Sequence, residues 1–148
     1  MITNERQYRI TKREAYAFAK AITALLQQER DATPDDALFR EGQIAAMRSQ
    51  LADLQDEISA YEALKSGSYP RQTLDSIDQL PRALIEARIA AGMTQSDLAR
   101  RLGIHVQQIQ RYEAGNYASA SLQRIADIAH AVGMVTRIAV STTANPRS

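Results

Sequence analysis

A chain of 148 residues has room for one or two small domains. It has no cysteine, which excludes a disulfide, a thiolate nucleophile or a cysteine-ligated zinc and fits the reducing cytoplasm. No apolar run approaches the ~20 residues of a membrane span, and the polar start Met1-Ile2-Thr3-Asn4-Glu5 is unlike a secretory signal.

The net charge of +1 is not that of a polyanion binder, but it is unevenly spread. Residues 1–66 carry nine Lys+Arg against eleven Asp+Glu. Residues 67–148 carry nine against six, and all nine bases are arginine. Arginine forks onto phosphate and guanine, so the basic surface belongs to the second half.

The first half reads as a helical hairpin. Thr11-Lys12-Arg13-Glu14 has the form of a capping box, in which Thr11 accepts from the Glu14 amide and Glu14 reaches back. Ala15, Phe18, Ile22 and Leu25 then form one apolar stripe, and the helix should stop near Glu29 or Arg30. A second helix should start at Thr33-Pro34-Asp35-Asp36, with a capping hydroxyl, a proline at the first position and acids at the positive end of the dipole. It should run to about Lys65. Ile44, Met47, Leu51, Leu54, Ile58 and Tyr61 alternate at spacings of 3 and 4, a coiled-coil seam. A partner helix starting at Thr11 is too short to cover that seam, so the rest is expected to meet a second chain or another protein, the alternative being that it packs against the second domain.

Ser66-Gly67-Ser68-Tyr69-Pro70 is the best domain boundary. A turn of helix is expected within Thr73–Ile77, and Pro81 opens a helix whose Leu84, Ile85 and Ile89 face inward. A motif of two short helices follows in residues 91–115. Thr94 and Asp97 cap the first, Leu98, Ala99 and Leu102 face the core, and Gly103 can end it in the left-handed conformation. The second should run from about Val106 to Glu113, anchored by Ile109 and Tyr112. Its outer face then holds Val106, Gln107, Gln110 and Arg111. Glutamine pairs with adenine, arginine forks onto guanine, and valine meets a thymine methyl. The bland reading of these glutamines is a solvated helix face, since glutamine is a good helix former. Ser119 or Ser121 starts a last helix with Leu122, Ile125, Ile128 and Val132, ended by Gly133. Val135–Val140 is rich in β-branched residues and predicts a short strand, which would need a partner such as its own copy in a dimer. The tail from Ser141 to Ser148 is expected to fray.

Arg88, Gly92, Thr94, Gln95, Leu98, Ala99, Leu102, Gly103, Ile109, Glu113 and Gly115 together resemble the pattern of the Xre family of helix-turn-helix proteins. That family includes Cro- and CI-type phage repressors and many antitoxins. The resemblance covers about Leu80 to Met134. It implies that Arg88 pairs with Glu113, that Gln95 touches DNA, and that Val106, Gln107 and Arg111 read bases. One departure is His105, which stands where the family has a capping Ser or Thr.

The fold class is therefore all-α: a hairpin over 1–66 for oligomerisation or partner binding, and a DNA-binding domain of four to five helices over 67–148. The expected DNA-binding set is Gln95, Arg100, His105, Val106, Gln107, Gln110, Arg111, Asn116 and Tyr117. Within it, Arg100 is either a phosphate contact or a solvated charge, as is its neighbour Arg101 outside the set, and Asn116 and Tyr117 could reach phosphates from the loop. Arg88 and Glu113 are either a structural pair or two surface charges. Two histidines far apart and no glycine-rich phosphate loop leave no visible catalytic site, metal site or cofactor. The expected function is that of a sequence-specific regulator, repressor-like, binding double-stranded DNA as a homodimer. The alternative is a HigA-like antitoxin whose main partner is a protein toxin.

Overall fold

The computed structural model describes residues 1–28 and 33–142. Among these residues six α-helices follow one another: α1 (Glu5–Gln28), α2 (Pro34–Lys65), α3 (Leu80–Ala90), α4 (Gln95–Leu102), α5 (Val106–Ala114) and α6 (Leu122–Ala131). A 3₁₀ turn, Ile77–Gln79, leads into α3, later than the turn expected within Thr73–Ile77.

α1 begins at Glu5, not at Thr11. The side-chain oxygen of Asn4 accepts from the Gln7 amide at 2.9 Å, and Gln7 Oε1 accepts from the Thr3 amide at 2.8 Å. That reciprocal cap satisfies the first free amides, so the Thr11 signal lies inside a helix that is already running. The extra turns carry Tyr8, whose ring lies 5.1 Å from that of Tyr61 on α2.

α2 starts as expected. Thr33 is its N-cap and accepts from the Asp36 amide, and Pro34 sits in the first turn. The two helices run antiparallel. Tyr8 donates to Glu62 and Lys65 reaches Glu5 at one end, and Arg40 donates to the Gln28 carbonyl at the other. Because α1 is longer than the sequence signal implied, it lies along the whole seam from Ile44 to Tyr61. Both ends of the seam are buried and Met47, Leu51, Leu54 and Ile58 are half-buried. The seam is covered within the chain, which corrects the expectation of an uncovered remainder.

The second half packs around Leu84, Leu98, Ile109 and Ile128, one fully buried side chain from each of α3, α4, α5 and α6. The core does not stop at the linker. Ile2 and Tyr61 belong to the same buried cluster, and the root of the hairpin rests on α3. The linker is also tied down, since the Tyr69 hydroxyl donates to the Ala83 carbonyl at 3.1 Å.

The strand expected over Val135–Val140 is absent: among the described residues there is none. Val135, Ile138 and Val140 are at least 80 % exposed, and no strand within the chain pairs with the segment. β-branched residues favour a pleated, half-buried surface, and no such surface exists here to receive them. The frayed end expected for Ser141–Ser148 lies mostly outside the described residues.

Candidate nucleic-acid interface

The geometry of the motif starts from its caps. The Thr94 hydroxyl accepts from the Asp97 amide at 3.0 Å, and Asp97 Oδ2 accepts from the Thr94 amide at 2.9 Å and from its hydroxyl at 2.6 Å. Those bonds from Thr94 hold the Asp97 carboxyl below its ordinary pKa, so the capping charge is secure at neutral pH. Gly103, at φ 66°, closes α4 in the left-handed region and turns the chain into α5. No neighbouring atom crowds a Cβ there, so glycine is favoured at this position by backbone conformation alone.

α5 lies with Ile109 and Glu113 inward and Val106 and Tyr112 packed at the edge of the core. Gln107, Gln110, Arg111 and Ala114 are left exposed on the opposite side. Gln108 belongs to neither set, since its amide donates to the Tyr112 hydroxyl at 2.9 Å. His105 occupies the N-cap with extended backbone but makes no capping bond. His105→Ser should supply that bond and raise stability by about 1 kcal/mol, read as a shift of the urea midpoint at constant slope.

Arg88 and Glu113 form a forked pair, Nε to Oε1 at 2.6 Å and Nη2 to Oε2 at 2.9 Å. They are 2 % and 5 % exposed, so the reading as surface charges falls. The guanidinium also donates to the Met93 carbonyl at 2.8 Å and to the Thr3 carbonyl at 2.7 Å. Glu113 Oε2 further accepts from Gln95 Nε2 at 2.7 Å. Gln95 is thus held at the start of α4 by the end of α5, with its other polar atom still available.

Arg100 is exposed and makes only a local contact, to Asp97 at 3.2 Å. A surface pair of this kind is worth little and leaves the guanidinium free to reorient towards phosphate. Arg101, open in the sequence between a solvated charge and a phosphate contact, serves instead as a tie within the domain. It spans the domain to donate to the Ala131 carbonyl at 2.7 Å, fastening α4 to the end of α6. A charge at a fixed distance along α4 gives no hint of that carbonyl, which comes from thirty residues further on.

Asn116 and Tyr117 both adopt positive φ, 49° and 57°, in the turn after α5. Asn116 is exposed and stays in the set that could meet phosphate. Tyr117 does not. Its side chain is 3 % exposed, stacked on Tyr112 with ring centroids 5.9 Å apart. The left-handed backbone turns it into the core, which a loop position in the sequence could not disclose. Its hydroxyl is buried without a partner, and burial raises its pKa, as does the nearby Glu113 carboxylate. Tyr117→Phe removes an unsatisfied donor. It should be neutral or stabilising by about 1 kcal/mol and leave DNA affinity unchanged. A loss of affinity in a filter or anisotropy titration would return Tyr117 to the interface.

Two short helices turning at one glycine, with the second presenting a free face of glutamines and arginine, define a helix-turn-helix DNA-binding domain. The family model described as Helix-turn-helix matches residues 84–137. This part of the chain, from within α3 to just past α6, belongs to the Xre-type helix-turn-helix family, and the chain is a DNA-binding regulator of transcription. A search of curated proteins found no match, and nor did a search of solved structures. Among the described residues no helix is long and apolar enough to cross a membrane, and no cluster of His, Asp or Glu is arranged to hold a metal.

Proposed function

We propose that this regulator is a repressor that reads its operator with α5 in the major groove and binds as a homodimer. The observation that carries it is the split of α5 into a buried face and a face of unpaired Gln107, Gln110 and Arg111. One such helix spans too few base pairs for useful selectivity, so two copies should engage half-sites about 10 bp apart, or a multiple of that. Gln95, Arg100, His105 and Asn116 flank α5 and are placed as backbone contacts, and Val106 as an apolar neighbour of a thymine methyl. Residues 67–148 act as the base-reading unit, and the hairpin of residues 1–66 associates through faces other than its covered seam, in the cytoplasm.

Selection of bound duplexes from a random pool tests this. The wild type should enrich a palindrome. Gln107→Ala or Arg111→Ala should cost about 1–3 kcal/mol on it and relax one base pair per half-site. Arg100→Ala should weaken all sequences alike. Unchanged affinity and preference in both Gln107→Ala and Arg111→Ala would remove α5 as the reading element.

A second reading, a HigA-like antitoxin, rests on one observation. Leu38 and Phe39, near the free end of the hairpin, are 74 % and 76 % exposed, which suits a protein partner such as a toxin. Co-purification of a specific protein that is lost in Phe39→Ser would favour it.

A further inference from the structure

The hairpin's small net charge conceals two helices of opposite sign. α1 carries five Lys+Arg and two Glu; α2 carries three Lys+Arg and seven Asp+Glu. We propose that the outward face of α1 is a line of DNA phosphate contacts that extends the interface beyond the helix-turn-helix domain. This rests on the DNA-binding reading above.

The rotation of α1 is fixed by its packing. Tyr8, Ala15, Phe18 and Ile22 turn towards α2, and Arg6, Arg9, Arg13 and Lys20 are all exposed. At about 100° per residue these four fall within a sector roughly 60° wide. Among the described residues none of them makes an ion pair, whereas Lys12 reaches Glu62 and Lys65 reaches Glu5. Glu5 is thereby neutralised, and Glu14 lies outside the sector.

Position favours DNA. α1 begins next to the Thr3 carbonyl, which accepts from Arg88. Arg88 in turn holds Glu113 near the end of α5 and the Met93 carbonyl just before α4. The N-terminal end of α1, where the line starts, is therefore anchored to the motif through Arg88. From Arg6 to Lys20 the line rises ~21 Å, about the span of six phosphates along one strand. Tyr16, exposed between Arg13 and Lys20, adds a hydroxyl donor on the same face. A second copy's acidic α2 would also attract cations. A packed helix seam, however, needs apolar residues at the contact positions, and this line places charges there.

The test compares full-length wild type with a variant carrying Arg6→Gln, Arg9→Gln, Arg13→Gln and Lys20→Gln. Glutamine keeps helix propensity at exposed positions, and circular dichroism checks that the helices remain. On the enriched duplex with ten or more flanking base pairs, the slope of log K against log salt should flatten in the variant by about 2–4 per protomer, about 4–7 for a bound dimer. Sequence preference and sedimentation should not change. On a duplex trimmed to the half-sites, wild type and variant should share one slope. An unchanged slope on the long duplex overturns the proposal while leaving α5 as the reading element. A flattened slope with a smaller oligomer also overturns it, because the line would then bind a second copy. A wild type that binds no duplex at all overturns both readings.

Discussion

Glu113→Leu should destabilise the protein by about 3–5 kcal/mol, and Arg88→Met by a similar amount, whereas the double variant Arg88→Met/Glu113→Leu should lose less than either alone. The reason is the burial of both groups. Either single change leaves an unpaired charge in a place where water cannot replace the partner. Losing Glu113 also strands the Gln95 amide that it anchors, and losing Arg88 strands the carbonyls of Met93 and Thr3. Urea unfolding of the four proteins gives the coupling directly. A coupling near zero would mean that the close geometry carries no net stability. The same cycle bears on function, because α5 is held at its far end by this pair. Variants of the pair that remain folded should bind DNA more weakly with unchanged base preference.

Ile109→Ala should cost about 2–5 kcal/mol, the range for truncating a fully buried branched side chain and leaving its cavity. Ile109 sits at the middle of α5, so the cavity opens beneath the reading face. Gln110→Ala, one residue on and fully outside, should stay within about 0.5 kcal/mol in stability. The pair separates folding from recognition on a single helix. Unfolding midpoints should move for Ile109→Ala alone, and affinity measured well below the midpoint should fall for Gln110→Ala if its amide meets a base. Equal stability of the two variants would mean that α5 is not seated as described.

What could be read from sequence follows from range. Caps, glycine turns and helical stripes are local, so Thr94–Asp97, Gly103, Thr33–Pro34 and the α2 seam stood as expected. The Asn4 and Gln7 cap obeys the same local rule as Thr11 and Glu14, and that rule alone does not choose between two starts on one helix. The exposed face of α5 was legible because its buried face was. Contacts over long separations were not. Nothing near Ile2 or Thr3 indicates that they meet Tyr61 or Arg88, and Tyr117 looked like any loop aromatic because its burial depends on two consecutive left-handed residues. β-branched composition alone misplaced a strand at Val135–Val140, since a strand is a property of pairs and the chain supplies one half.

The guanidinium of Arg88 joins residues that leave the ribosome far apart in time. Glu113 emerges only 110 residues after Thr3, roughly 5–20 s later at ordinary rates of synthesis. The hairpin can close soon after Lys65 is made, but its root rests on α3 and the shared core is complete only when the later helices exist. During that interval Ile2 and Tyr61 lack the rest of the core they join. The nascent chain therefore passes through a stage in which a finished hairpin carries an open apolar root, and release of the second half is what closes it.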